Sequence, residues 1–90
     1  MEQKIKRIVG LAFMVSTTSN ADVFVDYTPH ICALQYRIFW SGWKAYGDPD
    51  KAETIYLDEE GAMQKLDKLI ETLRNLLEFG TLKVERNGEK

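Results

Sequence analysis

A chain of 90 residues suffices for one domain and is short for two. Its 44% hydrophobic residues, with two Trp, four Tyr and four Phe, are material for a packed core and exclude a disordered segment as the default reading. A net charge of −2 lacks the surplus of Lys and Arg that neutralises phosphates, so nucleic acid is disfavoured as a partner, and it is too small for an acidic mimic of DNA. A chain this short buries a modest share of its surface and gains from pairing with itself or with another protein. Cys32 is the only cysteine, which excludes an intrachain disulfide and a cage of cysteines around zinc, and fits a reducing, cytoplasmic setting.

The first element is expected to be a helix from about Gln3 to Thr17, with Ile5, Ile8, Val9, Ala12 and Val15 at helical spacing. It fades into the polar run Ser16-Thr17-Thr18-Ser19-Asn20, and Gly10 in its middle costs it about 1 kcal/mol against Ala. Basic Lys4, Lys6 and Arg7, then IVGLAFMV, then Ser19-Asn20-Ala21 is also the order of a secretory signal; the helical spacing favours a retained helix. Either way the apolar run falls far short of the ~20 residues that span a bilayer, so no membrane is expected. Leu11 and Met14 point away from the Ile5-Ile8-Ala12 stripe, which makes the back of this helix a candidate contact surface.

Three strands follow. Asp22 to Tyr27 alternates, with Val23, Val25 and Tyr27 on one face and Asp22, Phe24 and Asp26 on the other. Thr28-Pro29-His30 is a turn, since proline presets φ and cannot donate to a ladder. Ile31 to Trp40 places Cys32, Leu34, Tyr36, Ile38 and Trp40 on one face and Ala33, Gln35, Arg37 and Phe39 on the other. A loop dense in turn residues runs from Ser41 to Asp50, and Glu53 to Leu57 is the third strand, with Ile55 and Leu57 inward.

The last long element is a helix from about Asp58 to Glu78. Asp58 is placed to cap it, Glu59 and Glu60 suit the positive end of its dipole, and Gly80 is placed to stop it. Ala62, Met63, Leu66, Leu69, Ile70, Leu73, Leu76 and Leu77 form its apolar stripe. The expectation is therefore one α+β domain over residues 1–80, in the order α-β-β-β-α. A three-stranded antiparallel sheet carries both helices on one face, and residues 81–90 form a tail or a short extra strand through Leu82 and Val84.

Catalytic chemistry finds little to stand on. A nucleophile needs a base within hydrogen-bond reach, and the one histidine, His30, and the one thiol, Cys32, would share a strand face; a turn histidine beside a core cysteine explains the pair as well. The paired carboxylates have structural readings in a strand face, a turn and a helix start. Asp48-Pro49-Asp50 lacks the Gly and distal Glu of a calcium loop, and no glycine-rich phosphate loop occurs. The expectation is a protein without cofactor, metal or catalytic residues.

The element order and Pro29-His30 in the first hairpin resemble the double-stranded-RNA-binding domain. That family's lysine cluster at the start of the last helix is replaced here by Asp58-Glu59-Glu60-Gly61, which would repel phosphate. On the sheet's open face Phe24, Phe39 and Tyr56, with Gln35 and Arg37 between them, are expected to line up across three strands, with Trp43 and Tyr46 on the adjoining loop. Such a face stacks single-stranded bases in some domains and anchors protein interfaces in others; Asp22 and Asp26 beside it favour protein. A third reading has the loop or the tail fold over the face and complete a second core. The run VFVDYTPHICALQYRIFWSGW, followed by IYLD and a Leu-rich helix, is similar to small proteins encoded by phages and prophages of Gram-positive bacteria. That resemblance implies binding to a host protein in the host cytoplasm, as anti-CRISPR and other anti-defence proteins do. The candidate contact residues are thus Phe24, Gln35, Arg37, Phe39, Trp43, Tyr46, Tyr56, Leu11 and Met14, facing a protein partner or a second copy in a homodimer.

Overall fold

Ile8, Leu11, Ala12 and Val15 recur at helical spacing, and in a computed structural model describing residues 1–43 and 47–79 they are what helix α1 (Glu2–Thr18) buries. The polar run after Val15 ends the helix because its hydroxyls take up the last carbonyls. Thr17 donates to Phe13 O at 2.9 Å, Thr18 to Met14 O at 2.6 Å and Ser19 to Val15 O at 2.7 Å. Ser19 itself is extended (φ −122°), so the chain leaves the helix there and turns back.

It returns as β1 (Asp22–Thr28), which pairs antiparallel with β2 (Ala33–Phe39); β2 pairs antiparallel with β3 (Lys51–Tyr56), giving the order β1-β2-β3. The hairpin between β1 and β2 is a single 3-10 turn, Pro29–Ile31, closed by Cys32 in the left-handed region (φ 51°, ψ 48°). Helix α2 (Ala62–Phe79) completes the expected α-β-β-β-α order, with both helices against one face of the sheet. Ile8 and Val15 of α1, Leu34, Ile38 and Ile55 of the sheet, and Leu66, Leu69 and Leu73 of α2 are almost wholly buried in one cluster. Each such side chain contributes about 1.5–3 kcal/mol relative to exposure. Lys4 of α1 pairs with Asp67 of α2 beside that cluster.

Three sequence expectations need correction. Asp58 does not cap α2. Residues 57–61 form turns, in which Glu59 N–H donates to Tyr56 O and Ala62 N–H to Glu59 O. Gly61 (φ 89°) resets the chain direction before the helix begins at Ala62, and Gly61 O accepts the first helical bond from Lys65 N–H at 3.1 Å. Second, β2 starts at Ala33 rather than Ile31, so Cys32 sits half-buried in the turn and His30 is exposed; the two do not share a strand face. Third, Trp40 lies in the turn after β2 and is exposed, and Tyr27, near the end of β1, is exposed as well. Tyr46, Gly80 and the 81–90 tail lie outside the described residues.

Candidate protein-contact surface

Strand alternation sends Asp22, Phe24 and Asp26 of β1, Gln35 and Arg37 of β2, and Ala52, Thr54 and Tyr56 of β3 to the face of the sheet opposite the helices. The register sets Phe24 opposite Arg37, Asp26 opposite Gln35 and Gln35 opposite Thr54. Cross-strand neighbours are close enough to interact, and here they do. The Arg37 guanidinium carbon lies 4.8 Å from the centroid of the Phe24 ring, and Arg37 Nη2 is 4.0 Å from Asp26 Oδ2. Gln35 Nε2 donates to Thr54 Oγ1 at 3.3 Å. Arg37, Asp26, Gln35, Ala52 and Thr54 line a shallow depression of about 440 Å³ across the middle of this face.

The expected aromatic row is not formed. Phe39 pairs with Asp22 at one end of β2, and Tyr56 pairs with Ala33 at the other. Six residues of strand separate those ends, roughly 20 Å. Phe24 and Phe39 instead meet edge to face, with centroids 5.6 Å apart and an interplanar angle of 84°. Phe39 is only 4% exposed, so it is a packed residue and not a contact residue. The chain after it explains why: Gly42 N–H donates to Phe39 O, and Trp43 N–H donates to Asp22 Oδ2 at 2.8 Å, folding the start of the loop back across the end of β1. Gly42 is needed there, since its φ of 94° is left-handed and a Cβ would meet Asn20 O at 3.3 Å. Trp43 is exposed at that end of the face, and Tyr56, 42% exposed, lies at the other.

Leu11 is the second corrected contact residue. It is 9% exposed and belongs to the core cluster, because α1 packs against both α2 and β1 and its buried stripe is wide enough to include it. Met14 is exposed as expected. Val9, expected in the apolar stripe with Ile8 and Ala12, is instead 53% exposed, and it stands one helical turn from Phe13, 69% exposed and not singled out in the sequence, on the solvent side of α1. Their signal was present: Val9 and Phe13 are an i, i+4 pair on the side away from Leu11 and Val15.

Behind the sheet, Tyr36 is buried and donates its hydroxyl to Glu53 Oε1 at 3.1 Å. Burial, with the hydrogen bond and negative charge of Glu53, pushes its hydroxyl from 10.0 up to about 12. A second depression, about 500 Å³, lies at the start of α1 and is lined mainly by Met1, Ile5, Tyr27, Cys32 and Leu57. Among the described residues there is no group of three or more His, Cys, Asp or Glu side chains that could hold a metal ion. Nor, among those residues, is any helix long and apolar enough to cross a membrane.

No protein-family model, curated protein or solved structure matches this chain. The fold defines its class: a small α+β protein in which two helices cover one face of a three-stranded sheet.

Proposed function

We propose that this protein is a non-enzymatic binding module that contacts another protein through the outer face of its sheet, with Arg37 as the central anchor. The supporting observation is the placement of Arg37 on Phe24 at 4.8 Å, with Asp26 at 4.0 Å on its flank. A guanidinium already held on an aromatic ring loses less side-chain freedom on binding than a free one. Arg, Trp and Tyr are also the residue types that dominate interface energetics, and Trp43 and Tyr56 stand at the two ends of the same face.

Single-stranded nucleic acid is the weaker reading. Stacking needs a run of exposed rings beside a basic groove. Here Phe39 is packed away, and the charged residues described on this face are Asp22, Asp26 and Arg37. The likeness to small phage-encoded proteins supports the more specific version, an inhibitor of a host defence protein acting in the host cytoplasm.

The test compares immobilised wild type with Arg37→Ala and Tyr56→Ser, using extract from a Gram-positive host and mass spectrometry of what is retained. Wild type should hold a partner that both variants lose by about tenfold or more, with their melting temperatures unchanged. A partner held equally by Arg37→Ala overturns the assignment of the face. In parallel, binding to labelled single-stranded oligonucleotides across a salt series should be absent even at low salt; tight, steeply salt-dependent binding would favour the nucleic-acid reading instead.

A further inference from the structure

The sheet has two edges, and they are treated differently. On β1 the edge amide of Val23 is taken by Ser16 Oγ at 2.9 Å, and α1 packs along that strand. On β3 nothing comparable occurs among the described residues. Leu57 N–H donates to Cys32 O at 2.8 Å, and with Ile55 opposite Leu34 and Glu53 opposite Tyr36 this fixes which amides face β2. Bonding alternates along an antiparallel pair, so the N–H and C=O groups of Ala52, Thr54 and Tyr56 point outward along the edge. An edge of this kind is a template for another strand.

We propose that a second copy of this chain adds antiparallel to β3 across a two-fold axis at Ala52, joining the three strands of each copy into one continuous sheet. Outward-facing residues must lie opposite one another, which limits the choice to steps of two residues; the Asp50 N–H is turned inward to Ile38 O at 2.9 Å, so the donors of the new ladder are the amides of Ala52 and Thr54. With Ala52 opposite Ala52 of the second copy, Lys51 falls opposite the second copy's Glu53, and by symmetry this happens twice. The next register sets Glu53 against Glu53, and the one after brings Asp50 against Asp58. Charge therefore selects the first. Lys51, Ala52 and Glu53 are all exposed, and a carboxylate can take several donors, so Glu53 can receive the second copy's lysine while Oε1 accepts from Tyr36 and Oε2 lies 3.9 Å from Lys65 Nζ. This surface is separate from the Arg37 face and leaves that face available on both copies.

Sedimentation equilibrium of the full chain, from micromolar to near-millimolar concentration, tests the proposal. The mass should rise from 10.4 kDa toward twice that value. Ala52→Pro removes an outward amide that β2 does not use, so circular dichroism should be unchanged while the variant stays monomeric throughout. Lys51→Glu sets like charges opposite one another twice and should weaken association about tenfold or more. Arg37→Ala, on the outer face, should dimerise like the wild type, which separates this proposal from the function assigned to that face. A wild type that remains at 10.4 kDa, or an Ala52→Pro variant that associates as tightly as the wild type, overturns it. A Lys51→Glu variant that dimerises undiminished overturns the axis at Ala52.

Discussion

Tyr36 ties β2 to β3 through one hydroxyl, and replacing it with Phe should separate two effects. At neutral pH the change removes a hydrogen bond to a carboxylate and leaves the ring, which is 3% exposed, in place. Bonds to charged partners contribute about 1.5–3 kcal/mol, but Glu53 is exposed enough for water to replace the hydroxyl, which brings the expected loss down to about 1 kcal/mol. For a domain of this size that lowers the melting temperature by roughly 4–8 °C. The second effect appears at high pH. An unfolded tyrosine ionises near 10.0, whereas Tyr36 in the folded protein keeps its proton to about 12. Its contribution is therefore whole below pH 10 and is lost as pH rises from there through the folded value, a fall on the order of 2 kcal/mol. Tyr36→Phe lacks that fall. Urea unfolding followed by tryptophan fluorescence at pH 7, 10, 11 and 12 would show wild type starting higher and the two curves converging, then crossing, in alkali. Parallel curves from pH 10 to 12 would refute the account of this buried hydroxyl.

Four further outcomes follow from the packing. Gly10→Ala should stabilise the protein by about 0.5–1 kcal/mol in thermal melts, because a Cβ there meets nothing within 4 Å and the helix gains propensity. Gly42→Ala should cost about 1–2 kcal/mol, because φ is left-handed and Asn20 O is close. On the outer face, Phe39→Ser should cost about 3 kcal/mol in urea unfolding and Tyr56→Ser less than about 1 kcal/mol; equal losses would mean both residues are core. On α1, Leu11→Ser should be the damaging change, by about 2–4 kcal/mol, and Phe13→Ser should alter stability by no more than about 0.5 kcal/mol.

Much of this molecule was legible in its sequence because alternation and helical spacing depend on local geometry. Val23 and Val25 against Phe24 and Asp26 placed β1 and its two faces correctly, and Leu66, Leu69 and Leu73 placed the buried side of α2. The misreadings fall where the outcome depends on contacts distant in the chain. Leu11 lies at the margin of a helical stripe, and its burial is decided by α1 having two neighbours, α2 and β1. Phe39 has the parity of the outer face, yet it is covered because Trp43 N–H bonds to Asp22, far away in sequence. Asp58-Glu59-Glu60 satisfies the rules for a helix start and equally those for a tight turn; Gly61 in the left-handed region decides between them. Within the candidate surface, the residue types and their face could be read in advance. The register could not, and it is the register that places Arg37 on Phe24 and leaves Tyr56 at the far end of the strand.

The turn at Cys32 has a practical consequence. It is the chain's one cysteine and the one described residue other than glycine with positive φ, its amide bonded to Pro29 O and its carbonyl accepting from Leu57 N–H. A side-chain-bearing residue held in that region stores about 1–3 kcal/mol of strain, so release of this corner is favoured relative to release of the helices. The thiol is half-buried at the margin of the core and lines the depression at the start of α1, so a thiol reagent has partial access in the folded protein and gains more when the corner lifts. The protein thus carries its own clock: the acceleration of Cys32 modification by urea, above the rate set by that partial exposure, measures the free energy of parting the hairpin from the end of β3. That free energy is read separately from the unfolding of the whole chain.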